Sequence, residues 1–191
     1  MEKDSRDAAA GSWNTELEKA ITVGIYGTPE LKPDEKVLYL GEFKERVLVA
    51  LTKQQVAESA LYIEVIEALQ DERAARMIVH GDITSGADKY YQMARKFGKP
   101  YLIRHDQKYK KSTMGLLVVG NEAVDVETIA VEDRATRLAA IGLPQSLIQA
   151  AGQKICSDCY ALMEKLAPEE RINYKRLNFI DRLTGDQCPA H

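Results

Sequence analysis

All three cysteines of this 191-residue chain fall after residue 155, in Cys156-Ser157-Asp158-Cys159 and in Cys188-Pro189-Ala190-His191. These are a C-x-x-C pair and a C-x-x-H pair, with residues 160–187 between them. Zinc takes four soft or borderline ligands in a tetrahedron, and a two-residue spacer lets both side chains of a pair converge on one ion. The pattern predicts a Zn(II) site built from Cys156, Cys159, Cys188 and His191. Four protein ligands leave no position for water or substrate, so the ion would be structural. It would staple a segment of about 35 residues, too short to hold a core unaided. Other readings of the same residues stay open. Cys156 and Cys159 suit the core face of a helix at i, i+3, with Cys188 and His191 on a frayed terminus, and the terminal carboxylate is an alternative ligand. A redox C-x-x-C lacks its usual setting after a strand and leaves Cys188 and His191 without a role.

Two further groups carry chemistry. Glu42 and Arg46 flank one apolar run while His80 and Asp82 follow another, which predicts a polar cluster at a strand end, where α/β proteins often bind ligands. His and Asp there are suited to acid–base work, although no nucleophile, base and orienting group are spaced as a set. The run Arg104-His105-Asp106-Gln107-Lys108-Tyr109-Lys110-Lys111 is the local basic stretch. Its cations Arg104, Lys108, Lys110 and Lys111 could neutralise phosphates and Tyr109 could stack on a base, an RNA contact in outline. The same composition also fits a solvated hairpin tip. Tyr90, Tyr91 and Tyr101 are expected to cluster, either as amphipathic surface for a partner or as the rim of the core.

The elements that must position these groups follow from periodicity and punctuation. Residues 1–15 are polar and small and read as a disordered tail. Glu16 to Val23 is helical in pattern, and Gly24, Gly27, Pro29 and Pro33 punctuate the next stretch as turns. Asp34 caps a short helix through Leu40. Val47 to Leu51 is a buried strand, and Thr52 closes it or caps the next segment. Leu61 to Gln70 is a surface helix, and Ala75 to His80 is a second strand stopped by Gly81-Asp82. Thr84 to Phe97 is a helix capped by Thr84 or Ser85 and ended by Gly98 and Pro100. Strands follow at Tyr101 to Arg104 and Gly115 to Gly120, with a lesser one at Ala123 to Val131. Beyond Glu132 the pattern is helical: Asp133 to Ile141, Ser146 to Gln153, Tyr160 to Leu166 and Glu169 to Leu183. The organisation is therefore an α/β domain over residues 16–131 and a helical extension over 132–191 with the C-x-x-C and C-x-x-H pairs. The short final connection of the sheet implies some antiparallel pairing.

The segments Gly24-Ile25-Tyr26-Gly27, Lys32-Pro33-Asp34-Glu35, Glu45-Arg46-Val47 and Ala50-Leu51-Thr52, with His80-Gly81-Asp82-Ile83 and Thr113-Met114-Gly115-Leu116-Leu117-Val118, resemble the YueI-like family of Gram-positive bacteria. The resemblance covers about residues 18–131 and includes no cysteine. It implies a single mixed-sheet α/β domain of chorismate-mutase-like type, whose topology also occurs in L30e-like RNA-binding proteins. It implies no particular reaction, since fold analogy does not supply one.

Composition narrows the classes. Lys+Arg number 26 against 29 Asp+Glu, a formal charge of −3, which argues against a protein that coats a polyanion. No apolar run approaches the ~20 residues needed to span a bilayer, and the mixed-charge start is unlike a secretory signal. The expectation is a cytoplasmic protein with no membrane contact. The leading reading is a non-enzymatic binding or regulatory module whose extension holds a structural zinc ion and whose partner is a protein or a small molecule. The alternatives are a small-molecule enzyme using Glu42, Arg46, His80 and Asp82, and an RNA-binding module using the 104–111 loop. A deep pocket at the strand end would favour the enzyme.

Overall fold

The computed structural model describes residues 32–83 and 85–191. The tail of residues 1–15, the helical stretch 16–23, the turns of residues 24–31 and Thr84 as a cap lie outside the described residues. From Asp34 onward the chain forms one compact unit.

Helix α1 (Pro33–Leu38) leads into strand β1 (Val47–Thr52), an apolar run buried along nearly all its length. Thr52 ends β1 and caps α2 (Lys53–Ala57) in a reciprocal box. The Gln55 backbone N–H donates to the Thr52 hydroxyl, and the Thr52 N–H donates to Gln55 Oε1 at 2.8 Å. Helix α3 (Ile63–Gln70) buries Val65, Ile66 and Leu69 and returns the chain to β2 (Ala74–His80). Helix α4 (Asp88–Lys96) then crosses to β3 (Tyr101–Arg104), and β4 (Met114–Gly120) completes the sheet. The α4 helix starts later than its sequence pattern suggests, and its N-cap is Ala87, without a side-chain cap. Gly86 explains this: its φ is +81°, and a Cβ there would lie 2.2 Å from the Val56 carbonyl oxygen. The chain must turn tightly past α2 before helix can begin.

The sheet order is β1-β4-β2-β3, with β4 antiparallel to both neighbours and β2 parallel to β3. Strands β1, β2 and β3 therefore run one way and β4 the other. One face packs on α3 and α4 through Leu51, Val65, Leu69, Met77, Val79, Tyr90 and Leu116. The opposite face is filled by Leu40, Ile78, Tyr109, Leu117 and Ile129. Each such fully buried apolar side chain contributes roughly 1.5–3 kcal/mol. Tyr91 and Tyr101 stack with centroids 4.5 Å apart, while Tyr90 is fully buried and its hydroxyl accepts from the Tyr62 N–H. The expected strand at Ala123 to Val131 reduces to a single bridge between Ala50 and Ala130. Asp125 has φ +46°, which breaks the extended run, and the Val124 N–H is spent on the Glu45 carbonyl.

The C-terminal extension carries α5 (Arg134–Ala140), α6 (Gln145–Gln149), β5 (Lys154–Ile155), α7 (Ser157–Leu166), β6 (Lys175–Arg176) and α8 (Phe179–Leu183). It has a core of its own, centred on Leu138, Leu147, Ile155 and Met163. The long helix expected over Glu169 to Leu183 is replaced by a 3-10 stretch at Pro168–Asn173, then β6, then α8. Tertiary pairing overrides helical propensity there. Lys175 and Arg176 pair in parallel with Lys154 and Ile155, and the side chains of Asn173 and Tyr174 are drawn inward. Among the described residues, no helix is long and apolar enough to cross a membrane.

Candidate metal centre

Strand β5 delivers Cys156 to the N-cap of α7, so the C-x-x-C pair sits on the turn that opens a helix. Cys156 Sγ accepts the Cys159 N–H at 3.5 Å, and Cys188 Sγ accepts the Cys156 N–H at 3.4 Å. Cys188 and His191 close a turn of their own, the His191 N–H donating to the Cys188 carbonyl at 3.3 Å. That turn is tied to α6 by the Ser146 hydroxyl, which donates to the Ala190 carbonyl at 3.1 Å. His191 Nε2 lies 3.2 Å from Cys159 Sγ. One ligand atom from each of Cys156, Cys159, Cys188 and His191 falls within 4.8 Å of all the others. Zn–S bonds of about 2.3 Å in a tetrahedron put sulfurs roughly 3.8 Å apart, so the cluster needs only slight contraction to hold such an ion.

The electrostatics of the four groups suit a cation. Backbone N–H donation from Cys159 pulls the Cys156 thiol down to about 7, so it ionises more readily than an ordinary thiol. Burial and the neighbouring cysteines push the Cys159 thiol up to about 12. Three sulfurs this close cannot all ionise without a countercharge. A divalent ion held by these residues would supply one, displacing the remaining thiol protons.

The remaining candidates separate in space. Because β1 and β2 run in the same direction, residues that precede β1 and residues that follow β2 lie at opposite ends of the sheet. Glu42 is buried and pairs with Arg76 at 2.8 Å, and Arg46 sits over the Phe43 ring just before β1. His80 and Asp82 are four or more residues further along β2, roughly 13 Å or more away. The four-residue polar cluster expected from sequence is therefore not assembled. His80 is buried and both its nitrogens are engaged: Nδ1 accepts the Asp82 N–H at 3.0 Å and Nε2 faces the Tyr109 carbonyl at 3.0 Å. In that arrangement it latches the 105–112 loop onto the sheet.

In the basic loop, Arg104 ends β3 and Lys108, Lys110 and Lys111 follow in and after a 3-10 turn. Tyr109 is not available for stacking on a base. It is buried, its hydroxyl lying where a Cβ on Gly41 would be 2.6 Å away, and its ring carries Lys108 at 4.8 Å.

One functional element escaped sequence reasoning. Arg134 and Glu170 are both buried, and Arg134 Nε donates to Glu170 Oε2 at 2.9 Å. Arg134 also donates to the Ile148 carbonyl and the Tyr174 hydroxyl, and Arg137 donates to Glu170 Oε1 at 3.1 Å. Asn173 bridges Glu170 to the α/β domain: its amide donates to Glu170 Oε2 and to the Leu61 carbonyl, and its Oδ1 accepts the Leu61 N–H. The network docks the extension beside the sheet domain. Its sequence signal would have been charged residues spaced into the apolar stripe of a helix, as Arg134 stands one turn before Leu138.

Comparison with known proteins separates the two parts of the chain. Residues 14–130 match the model of a family described as "Protein of unknown function (DUF1694)". The chain is 35% identical over 111 residues to "Uncharacterized protein YueI" of Bacillus subtilis (strain 168), across 58% of this chain and 83% of that protein. The crystal structure of the YueI protein from Bacillus subtilis superimposes with a TM-score of 0.52 and 32% identity, covering 63% of this chain and 94% of that one. The family match ends before Arg134, so the buried network and all four cluster residues lie beyond it. On these grounds the chain belongs to the DUF1694 family, the YueI-like proteins, and carries a Cys3His cluster in a segment outside the family match.

Proposed function

We propose that this protein is a cytoplasmic binding or regulatory module of the YueI-like type whose C-terminal extension is locked by a structural zinc ion on Cys156, Cys159, Cys188 and His191. The observation that carries the reading is the convergence of three sulfurs and one imidazole nitrogen within 4.8 Å of one another. The donor chemistry agrees, since thiolate and imidazole select zinc over calcium or magnesium. Four protein ligands leave no open position, so the ion fixes structure and does not activate water. Binding energy at such a site becomes folding energy for the segment that carries it. The small core around Leu147, Ile155 and Met163 is the part that gains most. A module of this kind presents a protein or small-molecule partner with a rigid composite surface made from the family domain and the clamped extension.

The test is metal content together with spectroscopy. Protein purified without added metal should carry close to one zinc per chain. Replacement with Co(II) should give the intense visible absorption of a tetrahedral thiolate site. Cys159→Ser and Cys188→Ser should each lose both signals. Wild-type protein with less than about 0.3 zinc per chain that also fails to bind Co(II) overturns the proposal.

A further inference from the structure

The four-stranded sheet has two edges, and the chain treats them differently. Strand β1 is covered at its midpoint by the segment that follows β4: the Ala50 N–H donates to the Ile129 carbonyl at 2.7 Å, and Ala50 bridges Ala130. Strand β3, at the other edge, pairs only with β2 among the described residues. The Met77 N–H donates to the Pro100 carbonyl and the Gly81 N–H to the Arg104 carbonyl, so the backbone groups of alternate residues, Leu102 included, face β2. The N–H and C=O of Tyr101 and Ile103 therefore point outward, where no hydrogen bond meets them among the described residues. Unpaired edge groups of this kind are a template for another strand.

Edges are commonly guarded by a bulge, a proline within the strand or an outward charge. The β2–β3 pairing runs from Tyr101 to Arg104 without the register shifts that interrupt both pairings of β4. The cations on either side of the strand centre are turned onto the protein: Lys99 Nζ donates to the Asp71 and Ala74 carbonyls, and Arg104 is packed down with its Nε shielded from solvent. What faces solvent instead is apolar. Leu102 and Ile103, on opposite faces of the strand, are 43% and 44% exposed.

A second copy of the same edge answers these groups. Antiparallel pairing about a two-fold axis at Leu102 sets Tyr101 of each copy opposite Ile103 of the other as hydrogen-bonded pairs, and sets the two Leu102 side chains together in a non-hydrogen-bonded pair, where side chains approach most closely. Charge fits as well. Helix α4 lies over β3, since Tyr91 stacks on Tyr101 and the Arg95 guanidinium donates to the Tyr101 hydroxyl at 3.4 Å. Asp88, Tyr91 and Arg95 share one stripe of that helix. Asp88 and Arg95 are exposed near its opposite ends, and neither has an ion-pair partner among the described residues. The axis lays the two α4 helices antiparallel, which directs Asp88 of each copy toward Arg95 of the other. We propose that β3 pairs antiparallel with β3 of a second copy of this chain, joining the two four-stranded sheets into one, with Asp88 and Arg95 as complementary charges across the seam. The surface lies in the family domain and is independent of the metal reading, so neither result bears on the other.

The experiment is sedimentation velocity of the full chain over a range of concentrations at constant ionic strength. A short strand pair flanked by one helix pair is a contact at the small end of specific interfaces, so the expected Kd is about 1–100 μM and the mass should double between about 1 μM and 300 μM chain. Ile103→Lys places a charge on the edge and should weaken the dimer at least about 10-fold, while Leu162→Lys, at a comparably exposed leucine on α7, should leave it unchanged. Leu102→Lys carries the same expectation if Ile103→Lys does not fold. Asp88→Lys and Arg95→Glu should each weaken the dimer about 3- to 10-fold, and an equimolar mixture of the two variants should recover it, because the mixed dimer pairs opposite charges at both contacts. A chain that stays monomeric at about 300 μM, a dimer indifferent to the lysine at the edge, equal weakening by Leu162→Lys, or a mixture no tighter than its components each overturns the proposal.

Discussion

Replacing Glu170 with Gln probes what holds the extension to the family domain. Glu170 is 2% exposed and receives three donors: Arg134 Nε at 2.9 Å and Asn173 Nδ2 at 2.8 Å on one oxygen, and Arg137 at 3.1 Å on the other. Gln keeps the shape but removes the charge, and it turns one acceptor into a donor that faces guanidinium. Arg134, 3% exposed, is then a buried cation without its counter-ion. Breaking a buried pair from one side typically costs about 3–5 kcal/mol. At about 2–4 °C per kcal/mol for chains of this size, the melting temperature should fall by roughly 6–20 °C. Arg134→Met should cost less, because it removes the buried cation and leaves Glu170 with Arg137 and Asn173. Thermal and urea unfolding measure the totals, and amide exchange should show protection lost first between residues 134 and 177. A Glu170→Gln protein destabilised by less than about 1 kcal/mol would refute the reasoning, as would Arg134→Met being the more damaging of the two.

Chelation of the proposed zinc ion, or Cys159→Ser, should leave amide protection in β1, β2 and β4 unchanged while residues 154–191 exchange fast; uniform loss of protection would mean that the proposed clamp does not act locally. Gly86→Ala should destabilise by at least about 1–3 kcal/mol in a thermal melt and by more than Gly98→Ala. Both glycines have positive φ, but only Gly86 has a carbonyl in the space a Cβ needs. Hydrogen bonds from the Arg73 guanidinium and backbone N–H hold the Asp71 carboxyl down at about 2, against about 3.9 unfolded. A depressed carboxyl stabilises the fold above the unfolded value and loses that contribution as pH falls through the folded one. The stability difference between wild type and Asp71→Asn should therefore shrink between about pH 4 and pH 2. For a pair at the surface it should not exceed about 1 kcal/mol, as read from urea melts.

The parts of the molecule written in local pattern were legible in the sequence. The apolar runs at Val47 and Met77 are strands, and Thr52 with Gln55 three residues on is a capping box, because both signals are decided within a turn or two of chain. The two Cys-containing pairs were legible for the same reason, although their meeting across residues 160–187 depends on β5 lying beside β6. Strand order was not legible: nothing local makes β4 insert between β1 and β2. The stretch after Glu169 misleads for a physical reason. Its residues suit a helix, yet Asn173 and Tyr174 gain more by satisfying buried groups on other elements than by continuing a turn. Tyr109 misleads in the opposite way, since a tyrosine among lysines reads as solvent-facing and is in fact the plug of one face of the sheet.

The contact between Asn173 and Leu61 has a consequence for what the extension asks of the domain. The Asn173 amide donates to the Leu61 carbonyl and accepts the Leu61 N–H, copying with one side chain the two-bond pairing that neighbouring strands make. It therefore reads main chain and places no demand on which side chain occupies position 61. At position 61 the sequence can change and the same two bonds still form, because the acceptor and donor belong to every residue except proline, whereas its neighbours take part through side chains: the Tyr62 hydroxyl accepts the Arg134 N–H and Glu64 lies 3.8 Å from Arg137. The appendage carries most of the core at the junction, which Ala60 of the domain completes, together with its own buried charges and its own Cys3His cluster. Docking therefore asks the domain for few specific side chains, Tyr62 and Glu64 among them, and takes main chain at position 61.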